Sequence, residues 1–595
     1  MLKSLTSVLV AIFLLTSLIA FSANVVTVTV NAAAILKTLP NTAFGLNVAV
    51  WDRPTLPDKK LPLLLKALNV DILRYPGGST SDKYDWESNS MVTSRHLYPQ
   101  ENNFDNFMKL VREIDAQALI TVNYGTGSPE KAAAWVKYAN VEHNYNVKYW
   151  EIGNEVYGDG FYGPDWEADF HKLKGPQAYA KNFIKYAKAM KAIDPDIKIG
   201  AVLTCPYTKM WHPSWNETVL RMAGKYMDFV VIHWYAVKGK KVTDSAILNS
   251  TDKIPRILAQ LKADIRKFAG SSENGIQIFI TETNSTLHNG LPTTTLVNAL
   301  FLVNDYMSWL QGGAMNVDWW DLYNRGAVGK TTVKLYGNPK YGDFALLSNG
   351  SVKGKNVNVL PVNTPFPDYY GYMMLKYFVK PGDDMIGSYS SCKTLNVYAS
   401  KRSNERVALM IVNTSPNSSY NVQLKFEGFE PQSIAQEYTY GMGNGVGGAM
   451  TSIDKKDISL STPLEVRPYS INVVVIKSQR IIKIFGPQVF QTTRVERSTV
   501  SPKQIETVKA NFTNRFGTLP NAVIVLEIYN SSGQMVGQKI VKNVNLNANQ
   551  PYTVVWNWKT PNVTDTYTVK SFVFGRYMIR TFSSSNNAAK FVVEK

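Results

Sequence analysis

The chain of 595 residues is 45% hydrophobic and carries a formal net charge of +18, which comes mostly from lysine. This length exceeds one ordinary domain, so two to four domains are expected. Its two cysteines lie far apart and exclude a disulfide-stapled scaffold, and the lack of a dense arginine-rich tract favours a solvated lysine-rich surface over nucleic-acid binding.

Residues 1–34 are expected to form a signal peptide or an N-terminal anchor. Lys3 supplies positive charge, residues 8–20 form an apolar run, and small residues follow at Ser22 and Ala23, although cleavage after residues 32–34 also fits. We therefore expect a secreted, extracellular protein, with membrane contact only if this segment stays uncleaved on the cell surface. No second apolar run is long enough to cross a bilayer.

Residues 35–380 alternate short apolar strands with amphipathic helices, which predicts a parallel α/β fold. The pattern gives eight strand-helix units, as in a (β/α)8 TIM barrel, where chemistry lies on the loops that follow the strands. An open doubly wound sheet is the alternative, but no G-x-G-x-x-G follows any strand. The predicted strands are Ala43–Val50, Val70–Tyr75, Ala118–Tyr124, Val147–Gly153, Ile197–Leu203, Phe229–Tyr235, Ile276–Thr281 and Met315–Leu322.

Polar and aromatic residues stand at the predicted strand ends, and a barrel would bring them to one mouth. Aromatic faces suit the C–H patches of a sugar ring, while polar groups bind its hydroxyls. The candidate substrate-binding residues are Arg74, Asn123, Asn154, His233, Tyr235 and Trp320. No group of histidine, cysteine and acidic residues has metal-ligand spacing, so neither a metal nor another cofactor is expected.

Two glutamates, Glu155 and Glu282, follow the fourth and seventh predicted strands. A pair of carboxyl groups about 5–5.5 Å apart can cleave a glycosidic bond by double displacement, with one group kept protonated as the acid and the other attacking the sugar. Arg74 and Tyr235 are candidates for keeping the attacking carboxylate ionised. We therefore predict that Glu155 and Glu282 are catalytic.

The pair Asn154-Glu155 together with Glu282 resembles the signature of clan A retaining glycoside hydrolases. The resemblance implies that Glu155 is the acid/base, that Glu282 is the nucleophile and that Asn154 contacts the sugar 2-hydroxyl. Residues 74–78 (R-Y-P-G-G) and 233–235 (H-W-Y) resemble motifs of family 51, the α-L-arabinofuranosidase and endoglucanase type. Residues 156–158 (V-Y-G) replace the M-D-G of those arabinofuranosidases.

The C-terminal third loses the helical pattern and alternates like strands. Residues 381–480 are expected to form a β-sandwich packed on the barrel, and residues 486–595 an immunoglobulin-like accessory β domain after a linker at Gln479–Phe490. Trp556 and Trp558 lie two residues apart and share one sheet face, either as sandwich core or as a sugar-stacking surface.

These features predict a secreted retaining glycoside hydrolase that cleaves plant-type polysaccharide and is α-L-arabinofuranosidase-like. An endo-β-1,4-glucanase or xylanase on the same barrel is the first alternative. A non-catalytic glycan-binding surface protein is the second, and the presence of both glutamates argues against it.

Overall fold

The computed structural model describes residues 25–593 apart from residues 54, 239–241, 271–274, 288–291, 329–340, 354–358, 403–405, 479–480, 485–498, 501, 504, 514–518, 548–549 and 575–587. The helices are α1 Leu61–Leu68, α2 Phe104–Glu113, α3 Pro129–Val136, α4 Pro176–Ile193, α5 Pro213–Ala223, α6 Asp244–Leu248, α7 Ile254–Asp264, α8 Leu296–Gln311 and α9 Pro367–Phe378. Short 3₁₀ or π turns cover Gly78–Lys83, Gln100–Asn102, Lys137–Glu142, Val156–Gly158, Gly224–Tyr226, Ser250–Lys253, Ile265–Ala269 and Val446–Gly448.

The strands fall into an N-terminal and a C-terminal set. The first set is β1 Val25–Thr38, β2 Phe44–Asn47, β3 Ile72–Tyr75, β4 Tyr84–Asp85, β5 Ser90–Met91, β6 Gln117–Val122, β7 Tyr149–Ile152, β8 Lys198–Val202, β9 Phe229–Val237, β10 Gln277–Thr286, β11 Asn316–Trp319, β12 Tyr323–Val328, β13 Tyr341–Gly342 and β14 Leu347–Lys353. The second set is β15 Asp384–Ser390, β16 Leu395–Arg402, β17 Arg406–Asn413, β18 Tyr420–Glu427, β19 Ile434–Gly441, β20 Asp454–Ser459, β21 Leu464–Val466, β22 Ser470–Lys477, β23 Ile481–Ile484, β24 Thr499–Val500, β25 Ile505–Thr513, β26 Leu519–Tyr529, β27 Met535–Leu546, β28 Pro551–Lys559, β29 Asp565–Phe574 and β30 Ala588–Val593.

Eight parallel strands close into a barrel in the order β10-β11-β2-β3-β6-β7-β8-β9. Each of the eight predicted strands overlaps one of them, so the predicted TIM barrel is confirmed. Helices begin where the sequence signals them: the Ser128 side chain accepts a hydrogen bond from the backbone N–H of Lys131, and Pro129 takes the first position of α3.

The barrel interior is layered. An apolar layer contains Tyr149 and Phe279, which come from non-neighbouring strands although their ring centroids lie 5.5 Å apart. Side chains on one face of a strand recur every second residue, so the residues two positions further along the strands also point inward. These are the polar residues Arg74, Thr121, Glu151, His233 and Thr281.

Strand β10 contains an irregularity at the candidate nucleophile. Ile280 pairs with Ile232, but the next pair is Glu282 with His233, so Thr281 is an extra residue in this strand. Such a bulge breaks the alternation of side chains and aims consecutive residues to the same side. Both Thr281 and Glu282 therefore contact residues of the barrel interior, and β10 runs on to Thr286 instead of ending at Thr281.

A nine-stranded sheet, in the order β20-β19-β22-β17-β16-β15-β1-β18-β21, encloses its own apolar core next to the barrel. It packs on the barrel through α9, where Tyr370 stacks on Tyr440 and Tyr377 stacks on Tyr438. Its strand β1 overlaps the predicted N-terminal segment 1–34. Residues 25–34 lie in this strand, where alternating valines bury one face between β15 and β18. Residues 1–24 lie outside the described residues.

The barrel and this sheet form one compact unit, and residues 430–432 and 477–595 form a second. The second unit has sheets β23-β25-β28 and β24-β30-β29-β26-β27 around one core, as predicted for a β domain. Trp558 is buried in this core and Trp556 packs against it, which favours the core interpretation of the pair. Strand β23 occupies part of the predicted linker, whose remaining residues are outside the described part. Among the described residues, no helix is both long and apolar enough to span a bilayer.

Candidate active site

Arg74 is the central cation of the barrel mouth and is fully buried. Its Nε and Nη2 atoms donate to Glu151 at 2.8 and 3.4 Å, and Nη2 also donates to Asn154 Oδ1 at 2.8 Å. Its Nη1 atom donates to Asn47 Oδ1 and to Glu282 Oε1, each at 2.9 Å. A guanidinium has five N–H groups. All of them are used here, so Arg74 fixes the positions of both a carboxylate and an amide of the mouth.

Glu282 is buried and has a donor on each carboxylate oxygen. Arg74 contacts Oε1, and the Tyr235 hydroxyl donates to Oε2 at 2.7 Å. Charge-assisted and phenolic hydrogen bonds thus hold both oxygens of this carboxyl group in place. The structure thus brings Arg74 and Tyr235 to Glu282, as the sequence predicted.

Glu155 directly follows β7 and has left-handed backbone angles, with φ of 43° and ψ of 33°. Such angles are uncommon for a residue with a side chain and recur at functional sites. Its Oε1 atom accepts a hydrogen bond from the Tyr157 hydroxyl at 3.0 Å, and its Oε2 atom accepts one from Trp166 Nε1 at 3.2 Å. The side chain is 22% exposed, so the carboxyl group is held firmly but is open to the mouth.

His233 lies between the two glutamates. Its Nδ1 atom is 3.0 Å from Glu155 Oε1 and 3.5 Å from Glu282 Oε2, and its Nε2 atom is 3.1 Å from the Thr281 hydroxyl. One carboxylate oxygen of Glu155 lies within 4.8 Å of one oxygen of Glu282. The two carboxyl groups therefore face each other across the barrel mouth, on either side of the His233 imidazole.

The pKa values of Glu155 and His233 shift in the directions opposite to those that burial alone would give. Burial disfavours the charge on Glu155, but the hydrogen bond and charge of His233 outweigh it and hold the pKa of Glu155 below its usual value. Burial likewise opposes the charge on His233, but the charge of Glu282 and the hydrogen bond to Glu155 raise the pKa of His233. The two opposite shifts favour the proton on the imidazole of His233, beside Glu155, over a proton kept on Glu155 by burial.

Asn154 is buried at the end of β7 and held from three sides. Its Oδ1 atom accepts from Arg74, its Nδ2 atom donates to Glu167 Oε1 at 3.2 Å, and its backbone N–H donates to Asp82 at 3.0 Å. Arginine can only donate, which fixes the orientation of the amide. One Nδ2 hydrogen remains for a substrate hydroxyl.

Two tryptophans form an aromatic wall of the mouth. The rings of Trp51 and Trp320 are 6.0 Å apart, and Trp51 is 38% exposed. A Cβ atom on Gly78 would come within 2.8 Å of Trp320, so glycine lets the ring lie against this turn. Trp319, by contrast, is fully buried against Phe301.

Asn123 is not free to bind a substrate. Its Nδ2 atom donates to Tyr84 O and to the Thr126 hydroxyl, and its Oδ1 atom accepts from the backbone N–H groups of Thr126 and Gly127. These four hydrogen bonds use the full capacity of an amide. The predicted role of Asn123 is therefore replaced by a structural one, closing the loop after β6.

Several residues of the site were missed by sequence reasoning. Tyr157 and Trp166 contact Glu155, and Glu167 and Asp82 hold Asn154. Tyr157 had a signal in its distance of two residues from Glu155. The others come from loops whose course has no periodicity, so only the fold reveals them.

Part of the chain is similar in sequence to known α-L-arabinofuranosidases. No family model matches the chain. An intracellular exo-α-(1→5)-L-arabinofuranosidase from Acetivibrio thermocellus is 28% identical over 254 residues, which are 38% of this chain and 48% of that protein. A probable α-L-arabinofuranosidase C from Aspergillus fumigatus is 32% identical over 161 residues, which are 23% of this chain and 30% of that protein. The chain most resembles family 51 of clan A.

The matched regions span about half or less of these curated relatives. Solved structures support the same fold. A family 51 α-L-arabinofuranosidase from Bifidobacterium longum has a TM-score of 0.60 at 16% identity, covering 77% of this chain and 100% of that one. A family 44 xyloglucanase from Paenibacillus polymyxa has a TM-score of 0.54 at 14% identity, with coverages of 77% and 100%. The family 51 resemblance thus agrees with the barrel and its adjoining sheet.

Proposed function

We propose that the protein is a retaining glycoside hydrolase of the α-L-arabinofuranosidase type, acting on plant-type polysaccharide by double displacement. The observation that carries this proposal is the close approach of the two glutamates, with oxygens within 4.8 Å, around the imidazole of His233. Glu282 has cationic and phenolic donors, as a nucleophile requires, while Glu155 has a proton source beside it.

In the first step, a carboxylate oxygen of Glu282 attacks the anomeric carbon as the bond to the leaving oxygen breaks. Glu155 gives its proton to that oxygen, and its hydrogen bond to His233 supplies the proton beforehand. In the second step, Glu155 removes a proton from water, and the resulting hydroxide displaces Glu282 from the sugar. The free sugar and both glutamates are then restored.

Two groups of the mouth are suited to bind a sugar ring. The free Nδ2 hydrogen of Asn154 donates to the hydroxyl next to the anomeric carbon, and Trp320 offers an apolar face. The arabinose preference rests on the curated relatives, which are named as α-L-arabinofuranosidases.

The test is hydrolysis of a panel of aryl glycosides and of arabinan, xylan and glucan, with product lengths resolved. Release of arabinose alone from the aryl α-L-arabinofuranoside and from arabinan would support the proposal. Glu282→Gln is the control for contaminating activity. Failure of the chain to cleave any member of the panel while still binding glycans would favour the non-catalytic alternative.

An endo-acting glucanase or xylanase is the second candidate. The exposed rings of Trp51 and Trp166 favour it, because rows of aromatic rings suit an extended sugar chain. Trp166 also donates to Glu155, which places it beside the expected leaving group. Oligosaccharides as early products, with a rapid fall in polymer viscosity, would decide for this candidate.

We also propose that the protein is exported through its apolar N-terminal segment. Strand β1 begins at Val25, so a cleavage compatible with the fold falls before that residue. The N-terminal sequence of the protein recovered from the growth medium tests this proposal. A mature chain that begins after Ala34 would contradict it, since most of β1 would be lost.

A further inference from the structure

We propose that Glu167 is a positioning residue of this site, which holds the amide of Asn154 as a neutral carboxylic acid. This inference rests on the proposed glycosidase function, and it assigns a third carboxyl group to the mouth. Glu167 touches neither Glu155 nor Glu282 by hydrogen bond, so its effect passes through Asn154.

The two carboxyl oxygens of Glu167 differ in their hydrogen bonds. Its side chain is buried, and its Oε1 atom accepts from both the Ser79 hydroxyl and Asn154 Nδ2. Its Oε2 atom is buried and has no hydrogen-bond partner in the part of the chain that the structure describes. A charged carboxylate with one bare oxygen loses solvation without compensation. The oxygen that accepts two bonds is therefore the carbonyl oxygen, and the proton resides on Oε2.

Asp82 is the neighbouring buried carboxyl, and burial raises its pKa as well, to about 7. Asp82 accepts three backbone N–H groups, from Tyr124, Gly125 and Asn154, and such donors stabilise a negative charge. Glu167 lacks comparable donors. Burial, followed by the charges of Asp82, Glu155 and Glu282, raises the pKa of Glu167 well above its usual value. Of the two carboxyl groups, Asp82 therefore ionises more readily, and Glu167 is the one that keeps its proton in our proposal.

Neutrality of Glu167 has a functional reason. The mouth already holds the carboxylates of Glu151 and Glu282 and the proton shared by Glu155 and His233, with Arg74 as the permanent cation. Another negative charge beside Asn154 would add repulsion among the carboxyl groups already gathered there. A neutral acid provides the acceptor that Asn154 needs without adding charge.

The first test is kinetic. Glu167→Gln keeps a neutral acceptor and should retain most of kcat/KM, whereas Glu167→Leu removes the acceptor and should lower kcat/KM roughly 10-fold. If the leucine variant does not fold, Glu167→Asp withdraws the acid by one methylene and should show the same loss. Equal losses in the Gln and Leu variants, or no loss in the Leu variant, would overturn the proposal.

The second test does not depend on activity. The infrared difference spectrum between the wild type and Glu167→Gln at neutral pH should contain a protonated-carboxyl band. Glu217→Gln, at an exposed position of α5, controls for the effect of one such change. Absence of the band would show that Glu167 is ionised and would refute the inference. A wild type that has the band but cleaves no glycoside would instead refute the proposed function.

Discussion

His233 and Glu155 share one proton across a 3.0 Å hydrogen bond between Nδ1 and Oε1. The Thr281 hydroxyl lies 3.5 Å from Glu151 Oε1 and 3.1 Å from Nε2 of His233, which favours donation to Glu151 and acceptance from Nε2–H. In that tautomer Nε2 is protonated, and Nδ1 either carries a second proton or accepts one from Glu155. The pair therefore keeps its transferable proton until the pH exceeds the raised pKa of His233.

This relationship predicts the effect of His233→Gln on the pH dependence. In the wild type, the proton for the leaving group is retained through and above the usual titration range of histidine, about 6.5, because the pKa of His233 is raised. Without the imidazole, Glu155 alone sets the alkaline limb, which should move to lower pH. The measurement is kcat/KM against pH on a substrate with a poor leaving group. An unchanged alkaline limb would show that the proton is not stored on His233.

The two glutamates should respond differently to alanine substitution. Glu282→Ala should abolish turnover of all substrates, because no other group can form the covalent intermediate. Glu155→Ala should spare cleavage of activated aryl glycosides, whose leaving group needs no proton, and strongly reduce cleavage of polysaccharide. Parallel assays on both substrate types provide the comparison. Equal losses in both variants on both substrates would contradict the assigned roles.

Arg74→Met should destabilise the fold as well as the site. It leaves Glu151 buried without its cation, and breaking a buried ion pair costs about 3–5 kcal/mol. Arg221→Met is the matched control, since its pair with Glu217 is exposed and such pairs contribute about 0.5 kcal/mol. Urea unfolding followed by circular dichroism gives both values. If Arg74→Met loses no more stability than the control, the buried ion pair of Arg74 and Glu151 contributes no more to stability than an exposed pair.

Gly78→Ala should impair substrate binding by moving Trp320. Gly78 has φ of +50° and would bring its new Cβ atom within 2.8 Å of that ring. Gly270→Ala separates strain in the backbone from contact with the Trp320 ring, because Gly270 has φ of +63° but a Cβ atom there would have nothing within 4 Å. Both variants should lose about 1–2 kcal/mol of stability from the left-handed backbone, and only Gly78→Ala should raise KM. An equal KM in the two variants would exclude a binding role for Trp320.

Chelators should leave activity unchanged. Glu155, His233 and Glu282 offer atoms close enough for a metal ion, but Arg74 and Tyr235 already donate to Glu282, and His233 shares a proton with Glu155. A cation would have to displace these donors. Activity after dialysis against EDTA, with and without added zinc or calcium, tests this. If activity is lost on dialysis and recovered with added metal, Glu155, His233 and Glu282 bind a metal ion and the prediction is wrong.

The residues that carry the resemblance to family 51 were visible in the sequence because each lies on or directly after an apolar strand. Parallel strands of a barrel bring such residues to one end, so Arg74, Glu155, His233, Tyr235 and Glu282 could be grouped without coordinates. Their meeting in the structure confirms the strand assignment from which the grouping came.

Other features depend on contacts between segments far apart in the chain. The bulge at Thr281 is set by pairing with β9, and no local pattern marks it. Strand β1 resembled the end of a leader until its partners, β15 and β18, supplied the reason for its alternating valines.

The sequence by itself determined the barrel and the identity of its two glutamates. Local periodicity predicts the strands, and the glutamates lie at the ends of those strands. What only the tertiary structure decided is the charge state of the mouth. Protonation depends on burial and on donors from distant loops, as at Glu155 with His233 and at Glu167 with Asp82. Burial and such donors arise only when distant segments of the chain pack together, so no local stretch of residues reveals them.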